Sequence, residues 1–125
     1  MSEPRPLPPS LRLHSRYLVF ELISDEKISY SDMTNAIWNS MLNLLGELET
    51  SDAKMWLIQN LYDEKSQRGV IKCRHDFVEK MRAVLSLIHM ISEKRVIINI
   101  LGVTGTIKSA RNKYLTTKDL RSFTG

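Results

Sequence analysis

The fold is decided by the stretch between residues 55 and 74, which reads Met55-Trp-Leu-Ile-Gln-Asn-Leu-Tyr62, then Asp63-Glu-Lys-Ser-Gln-Arg-Gly69, then Val70-Ile-Lys-Cys-Arg74. Its first and last parts are short apolar runs typical of β-strands, and the polar part between them is typical of a turn. The stretch therefore predicts two neighbouring strands that pair as a hairpin.

Helical patterns flank this hairpin on both sides. Before it, a helix is predicted to begin with Ser31 as its N-cap and to end at residues 50–52, with a core-facing stripe at a period of 3.6 residues: Met33, Ile37, Met41, Leu44, Leu45 and Leu48. After it, His75 or Asp76 opens a second helix, whose apolar stripe is Val78, Met81, Val84, Leu85, Ile88 and Ile91.

Two more apolar runs complete the pattern, a first strand over residues 16–23 and a fourth strand over 96–101. The order strand, helix, strand, strand, helix, strand predicts an α+β, ferredoxin-like βαββαβ sandwich, the architecture that RNA-recognition domains also use, with an extra C-terminal helix over 107–115. The second and fourth strands are apolar at consecutive positions, which predicts burial on both faces. Because two helices cover only one face, we expect the C-terminal helix or a partner protein to cover part of the other.

The chain length of 125 residues predicts one domain. All four prolines lie within the first nine residues, so residues 1–15 are predicted to form a flexible Pro-rich basic arm, 16–115 the single domain and 116–125 a basic tail. With Cys73 as its one cysteine and no signal or membrane-spanning segment expected, the chain is predicted to be cytoplasmic.

Positive charge is concentrated at the two ends of the chain. Residues 1–20 carry three arginines against one glutamate and residues 105–125 five cations against one aspartate, while the residues between them carry ten cations against twelve carboxylates. Basic ends on a balanced body indicate contact with a polyanion, of which nucleic acid is the commonest. A solvated surface on which cations cluster by chance is the alternative.

The residue types needed for catalysis do not form a recognisable pattern. His14, His75 and His89 are far apart in the sequence, and one cysteine leaves no zinc-site spacing. Arg68-Gly69 begins like the third-strand motif of an RNA-recognition domain, but no aromatic residue follows within 70–74, so stacking of bases on that strand is not predicted. Lys72 and Arg74 share one side of the strand, which suits contact with phosphates or a partner.

The segment Leu101-Gly-Val-Thr-Gly-Thr-Ile-Lys108 followed by Arg111 and Tyr114 is the most informative part of the sequence. Thr104 or Thr106 can cap the following helix, and the helix N-terminus at Gly105 and Thr106 is predicted to contact phosphate. Lys108 and Arg111 share one helix face. An ordinary capped surface helix after a glycine turn is the alternative.

Together with Arg16-Tyr-Leu-Val-Phe20, Arg68-Gly-Val-Ile71 and Met81-Arg-Ala-Val-Leu-Ser-Leu-Ile88, this segment resembles the archaeal ribonuclease P protein component 2 family over about residues 7–115. The resemblance implies a ferredoxin-like protein that pairs with the barrel-shaped protein component 3. It also implies binding to the catalytic ribonuclease P RNA beside other protein subunits, with precursor tRNA met indirectly. The RNA and its bound Mg²⁺ would do the chemistry, and the protein itself would hold no cofactor or metal.

The sequence departs from the family before the first strand, where Leu11-Arg-Leu-His-Ser-Arg16 is less basic than the family pattern. We predict phosphate contacts for the cations of the arm, the third strand and the C-terminal helix: Arg12, Arg16, Arg68, Lys72, Arg74, Lys108, Arg111 and Lys113. Two other function classes stay open on the residues alone. One is a non-catalytic protein–protein interaction module, and the other is a small phosphoryl- or acyl-transfer enzyme on the same fold.

Overall fold

The computed structural model describes residues 14–115, so nearly all of the predicted arm, including Arg12, and the whole predicted tail lie outside the described residues. The strands are β1 Ser15–Ser24, β2 Trp56–Leu57, β3 Arg68–Arg74, β4 Met90–Ile91 and β5 Lys94–Thr104. The helices are α1 Tyr30–Asp52, α2 Val78–Ser86 and α3 Ile107–Ala110, and α3 continues as a π turn over Arg111–Leu115.

The strands form one antiparallel sheet in the order β2-β3-β1-β5-β4. Without the short outer strand β4, this is the ferredoxin-like order, in which the first and third strands lie at the centre. The predicted fold class is confirmed. Helices α1 and α2 cover one face of the sheet, and α3 lies on the other, which we call the α3 face.

The main core lies between the sheet and the two longer helices. Leu18, Phe20 and Leu22 alternate along β1 toward this side, and each is at most 2% exposed. They pack against the α1 residues Met33 and Ile37, both fully buried. Each such side chain contributes roughly 1.5–3 kcal/mol by leaving water, so this layer is the main stabilising element of the domain.

Helix α1 ends at Asp52, within the predicted range, and differs from its prediction at its start and at Gly46. Its N-cap is Ser29, two residues before the predicted Ser31, and the Ser29 hydroxyl accepts from the Asp32 amide at 3.2 Å. Gly46 has a φ of 79°, which interrupts the helical geometry. Leu48, which follows this break, is 84% exposed, and Leu44, also predicted to face the core, is 45% exposed.

The predicted second strand over residues 55–62 is mostly wrong. Only Trp56 and Leu57 pair with β3, and the chain then turns through a 3₁₀ helix at Gln59–Leu61. The second helix is likewise shorter than predicted. It ends at Ser86, and Ile91, predicted to continue its stripe, instead lies in β4, a strand that pairs with the start of β5 and that sequence periodicity missed.

Candidate nucleic-acid interface

Helix α3 is anchored to the centre of the α3 face by a small second core. Val19 of β1, Val70 of β3 and Ala110 of α3 are fully buried there together. Gly102 of β5 lies directly under the ring of Tyr114, since a Cβ at this position would overlap the ring. The expectation that the C-terminal helix covers part of the second sheet face is therefore confirmed.

Arg68 fixes the end of α3. Its Nη2 lies 3.1 Å from Glu21 Oε2, its Nε donates to the same oxygen at 3.2 Å, and its Nη1 donates to the Tyr114 carbonyl at 2.7 Å. The Arg68 side chain is 19% exposed, so this charge-assisted contact is partly shielded from water. Because its guanidinium is engaged inside the protein, Arg68 holds α3 in place, and its RNA contact stays a prediction.

The cations of α3 face solvent. Lys108, Arg111 and Lys113 are all exposed. Within residues 14–115, the Lys108 and Arg111 side chains have no ion pair or hydrogen bond. The helix thus buries Ala110 against the sheet and presents positive charge outward.

Thr106 caps α3, and its hydroxyl accepts from the Ser109 amide at 3.0 Å. Thr104 precedes it, and its hydroxyl donates to the Thr106 carbonyl at 2.9 Å. The α-helical part of α3 is only four residues long, so its dipole is small. The capping prediction is confirmed for Thr106, and the phosphate contact at Gly105 and Thr106 stays a prediction.

A second group of cations lies at the end of the α3 face where β1 begins. Lys72 lies between Tyr17 and Trp56, its direct neighbours on the adjoining strands. Together with Ser15, Lys54, Met55 and Arg74, Trp56 and Lys72 line an open groove of about 530 Å³. Helix α3 begins at the same end of the sheet, because the last residue of β5, Thr104, is paired with Tyr17.

The other predicted cations are less available. Arg74 donates to Asp76 Oδ2 at 2.8 Å and to the Asp52 carbonyl at 3.3 Å. Arg16 donates to the Ser15 carbonyl at 3.0 Å, and strand alternation places it on the opposite sheet face from Lys72. The structure therefore brings Lys72 and the start of α3 to one end of the sheet and separates Arg16 from them.

Trp56 is an exposed residue of this groove that the sequence pattern did not single out. It is 62% exposed, although tryptophan is usually well buried. Its position in an apolar run predicted an ordinary strand residue. The pairing of Trp56 with Lys72 depends on strand register, which the sequence does not specify.

Groups with shifted pKa values lie elsewhere. Burial, followed by the nearby Glu64 and Asp32 charges, raises the pKa of Tyr62 to about 12, and the Tyr62 hydroxyl donates to the Ile28 carbonyl at 2.6 Å. Burial, followed by the Asp76 charge, raises the pKa of Cys73 to about 11. This thiol is fully buried and protonated at neutral pH, so it lacks the thiolate that a nucleophile requires.

Neither a metal site nor a membrane-spanning helix is present within residues 14–115. These residues contain no group of three or more histidine, cysteine or acidic side chains placed to hold a metal ion. No helix among them is long and apolar enough to cross a bilayer.

Comparison with known proteins gives one consistent result. Residues 16–115 match the model of the Rpp14/Pop5 family. The chain is 43% identical over 109 residues to ribonuclease P protein component 2 of Pyrococcus abyssi, covering 87% of this chain and 91% of that protein. It is 38% identical over 113 residues to the protein of the same name from Methanothermobacter thermautotrophicus, covering 87% and 91%.

A solved structure supports the fold. A chain in the cryo-EM structure of yeast ribonuclease MRP superposes with a TM-score of 0.61 at 9% identity, covering 89% of this chain and 93% of that one. At this identity the likeness concerns the fold alone.

Proposed function

Because this chain belongs to the Rpp14/Pop5 family, we propose that it is an RNA-binding protein subunit of ribonuclease P, supporting the catalytic RNA in removing the 5′ leader from precursor tRNA. The family match over residues 16–115 carries this proposal. The relatives named ribonuclease P protein component 2 match nine-tenths of their own length, which supports the same role. A cytoplasmic location is proposed with it.

In this proposal the protein does no chemistry itself. The RNA folds its phosphates into close proximity, and their mutual repulsion opposes the active conformation. Lys108 and Arg111 are exposed cations on a helix that Arg68 and Tyr114 hold firmly, so their charge can be placed against phosphates at little entropic cost. Mg²⁺ ions bound to the RNA would supply the catalytic metal.

The experiment is precursor-tRNA cleavage at low Mg²⁺ with the catalytic RNA and protein component 3, with and without this chain. Omitting the chain is expected to lower the rate strongly. Lys108→Ala/Arg111→Ala is expected to lower it in part, and added Mg²⁺ to restore it. The control is Lys80→Ala/Arg82→Ala, which removes the same formal charge from α2 on the other sheet face, where both side chains are exposed and ion-paired with Glu49 and Glu79.

Three outcomes would contradict different parts of the proposal. Cleavage that does not depend on the chain contradicts the subunit role. If both double variants lose the same activity, net charge matters and the α3 site does not. Turnover by the chain without RNA would instead establish a protein enzyme on this fold.

We also propose that protein component 3 covers one of two pairs of exposed apolar side chains. On α1, Trp38 and Leu42 are neighbours one helical turn apart, 38% and 41% exposed. At the far end of the α3 face from Lys72, Ile23 and Ile97 are paired across strands and 50% and 63% exposed.

Two charge substitutions test this pairing. Leu42→Glu and Ile97→Glu change exposed positions, so both variants are expected to stay folded. Co-elution with purified component 3 should be lost for one variant and kept for the other, which also identifies the docking surface. Retention of component 3 by both variants would contradict the proposal.

A further inference from the structure

Trp56 is an exposed tryptophan at the edge of the sheet, next to the part that α3 covers. It lies on β2, at the edge of the sheet, on the same face as Lys72. Its neighbour two residues on, Ile58, packs into the small core under α3. Helix α3 thus covers the chain at Ile58 but does not cover Trp56, whose ring is left 62% exposed.

The groove beside the ring is lined by cations and by no carboxylate, although Arg74 is ion-paired with Asp76 outside the groove lining. Of the six described residues that line its groove, three are the cations Lys54, Lys72 and Arg74, and none is a carboxylate. Within residues 14–115, neither the Lys54 nor the Lys72 side chain has an ion pair or hydrogen bond. Two unpartnered cations beside an exposed indole are suited to a ligand that combines an anion with a flat ring.

We propose that Trp56 is a stacking platform for an unpaired nucleobase of RNA, with the phosphates on either side of that base held by Lys72 and Lys54. The inference rests on the proposed RNA-binding function and adds a mode of contact to it. A base presents its π-face to the indole, and the phosphates on its 5′ and 3′ sides are separated by one nucleotide. Lys54 and Lys72 lie on different elements of the groove, so each can meet one phosphate.

Stacking explains two features that phosphate contact alone does not. It accounts for an exposed tryptophan, which a surface made only to bind phosphates does not require. It also assigns the contact with single-stranded RNA to β2, because β3 lacks the aromatic residues on which bases usually stack. The groove and the start of α3 lie at the same end of the sheet, so one RNA strand can contact both.

Tryptophan fluorescence tests the proposal directly, because the chain has only two tryptophans. Trp38→Phe leaves Trp56 as the sole fluorophore, and Trp56→Phe leaves Trp38 on α1. The probes are a hexa-adenylate RNA and a hexamer of the same length and charge without bases, each titrated into the full chain. Stacking quenches the indole, so hexa-adenylate is expected to quench Trp38→Phe saturably, while the abasic hexamer is not.

Affinity variants separate stacking from charge. Trp56→Leu is expected to weaken hexa-adenylate binding at least about fivefold with an unchanged salt dependence, because one stacked base contributes that much or more. Lys72→Met is expected to weaken it and to reduce the slope of log K against log salt by roughly 0.7, the value for one single-strand phosphate. Arg95→Met, near the start of β5, is the charge-matched control. It is expected to change neither the affinity for hexa-adenylate nor the salt slope.

The outcomes distinguish the stacking site at Trp56 from the RNA-binding function as a whole. Salt-dependent binding of the RNA without quenching of Trp56, or equal quenching by the abasic hexamer, overturns the stacking site and leaves the RNA-binding function intact. Absence of binding to any RNA, including the catalytic RNA, overturns the function itself. Quenching of Trp56 by component 3 but by no RNA would assign the groove to a protein partner and overturn the proposal.

Discussion

Replacing Gly102 by alanine tests how α3 is seated. Gly102 lies opposite Val19 in the sheet, and a Cβ at this position would overlap the ring of Tyr114. Either the ring must rotate away or α3 must rise from the sheet. Forcing an extra carbon into such a packed site costs about 1–3 kcal/mol. Alanine is better than glycine in a strand by roughly 0.5–1 kcal/mol, which offsets part of this.

The central values of these two terms leave an expected net loss in the free energy of unfolding of roughly 1 kcal/mol. For a domain of this size that corresponds to a fall in melting temperature of roughly 2–8 °C. Gly105→Ala is the matched control from the same segment. A Cβ added there would meet nothing within 4 Å beyond its chain neighbours, and the Gly105 φ is not positive, so the variant is expected to be as stable as the parent or slightly more stable.

Urea and thermal unfolding followed by circular dichroism measure both variants. A double-mutant cycle with Tyr114→Leu adds the specific check. Because the smaller side chain removes the overlapping ring, Gly102→Ala should cost about 1 kcal/mol less in that background than in the parent. Equal stabilities of Gly102→Ala and Gly105→Ala, or strictly additive costs in the cycle, would refute the seating of Tyr114 on Gly102.

Three further predictions follow from other contacts. Arg68→Met is expected to lower the free energy of unfolding by about 2–3 kcal/mol and to increase hydrogen exchange in α3, since a partly buried charge-assisted contact is lost; unchanged exchange in α3 would contradict this. Lys54 has a φ of 53°, a left-handed conformation that glycine adopts without strain, so Lys54→Gly is expected to keep or raise stability while weakening hexa-adenylate binding; loss of stability together with unchanged binding would contradict both parts. The pKa of Tyr62 is raised to about 12 in the folded state, so the folded form retains its proton while the unfolded form loses it, and stability should fall as pH rises from about 10 to 12. Tyr62→Phe should remove this part of the alkaline slope in unfolding titrations, and an identical slope in the two proteins would show that the tyrosine is not responsible.

The sequence predicted part of the candidate interface. The basic residues of α3 were identified from their spacing and from the Gly-Val-Thr-Gly-Thr segment before them, and the structure places Lys108 and Arg111 in solvent as that pattern suggests. The sequence did not reveal that the Arg68 side chain contacts Glu21 and the Tyr114 carbonyl inside the protein. An arginine on a strand has the same local pattern whether its partner is phosphate or a carbonyl brought near by a distant helix.

The types and order of the main strands and helices were predicted from the sequence alone, whereas β4 was not. The sequence left open whether α3 or a partner protein covers the second sheet face. Hydrophobic periodicity and turn residues are local properties, and they sufficed for β1, β3, β5 and the first part of α1. Tertiary structure decided where other elements end: most of the predicted second strand becomes a 3₁₀ turn, and Ile91 leaves its predicted helix for β4. Tertiary structure also decided that Trp56 lies exposed beside Lys72. Strand register and the part of the sheet that a helix covers depend on contacts between residues distant in the chain, and such contacts leave no periodic signal in the sequence.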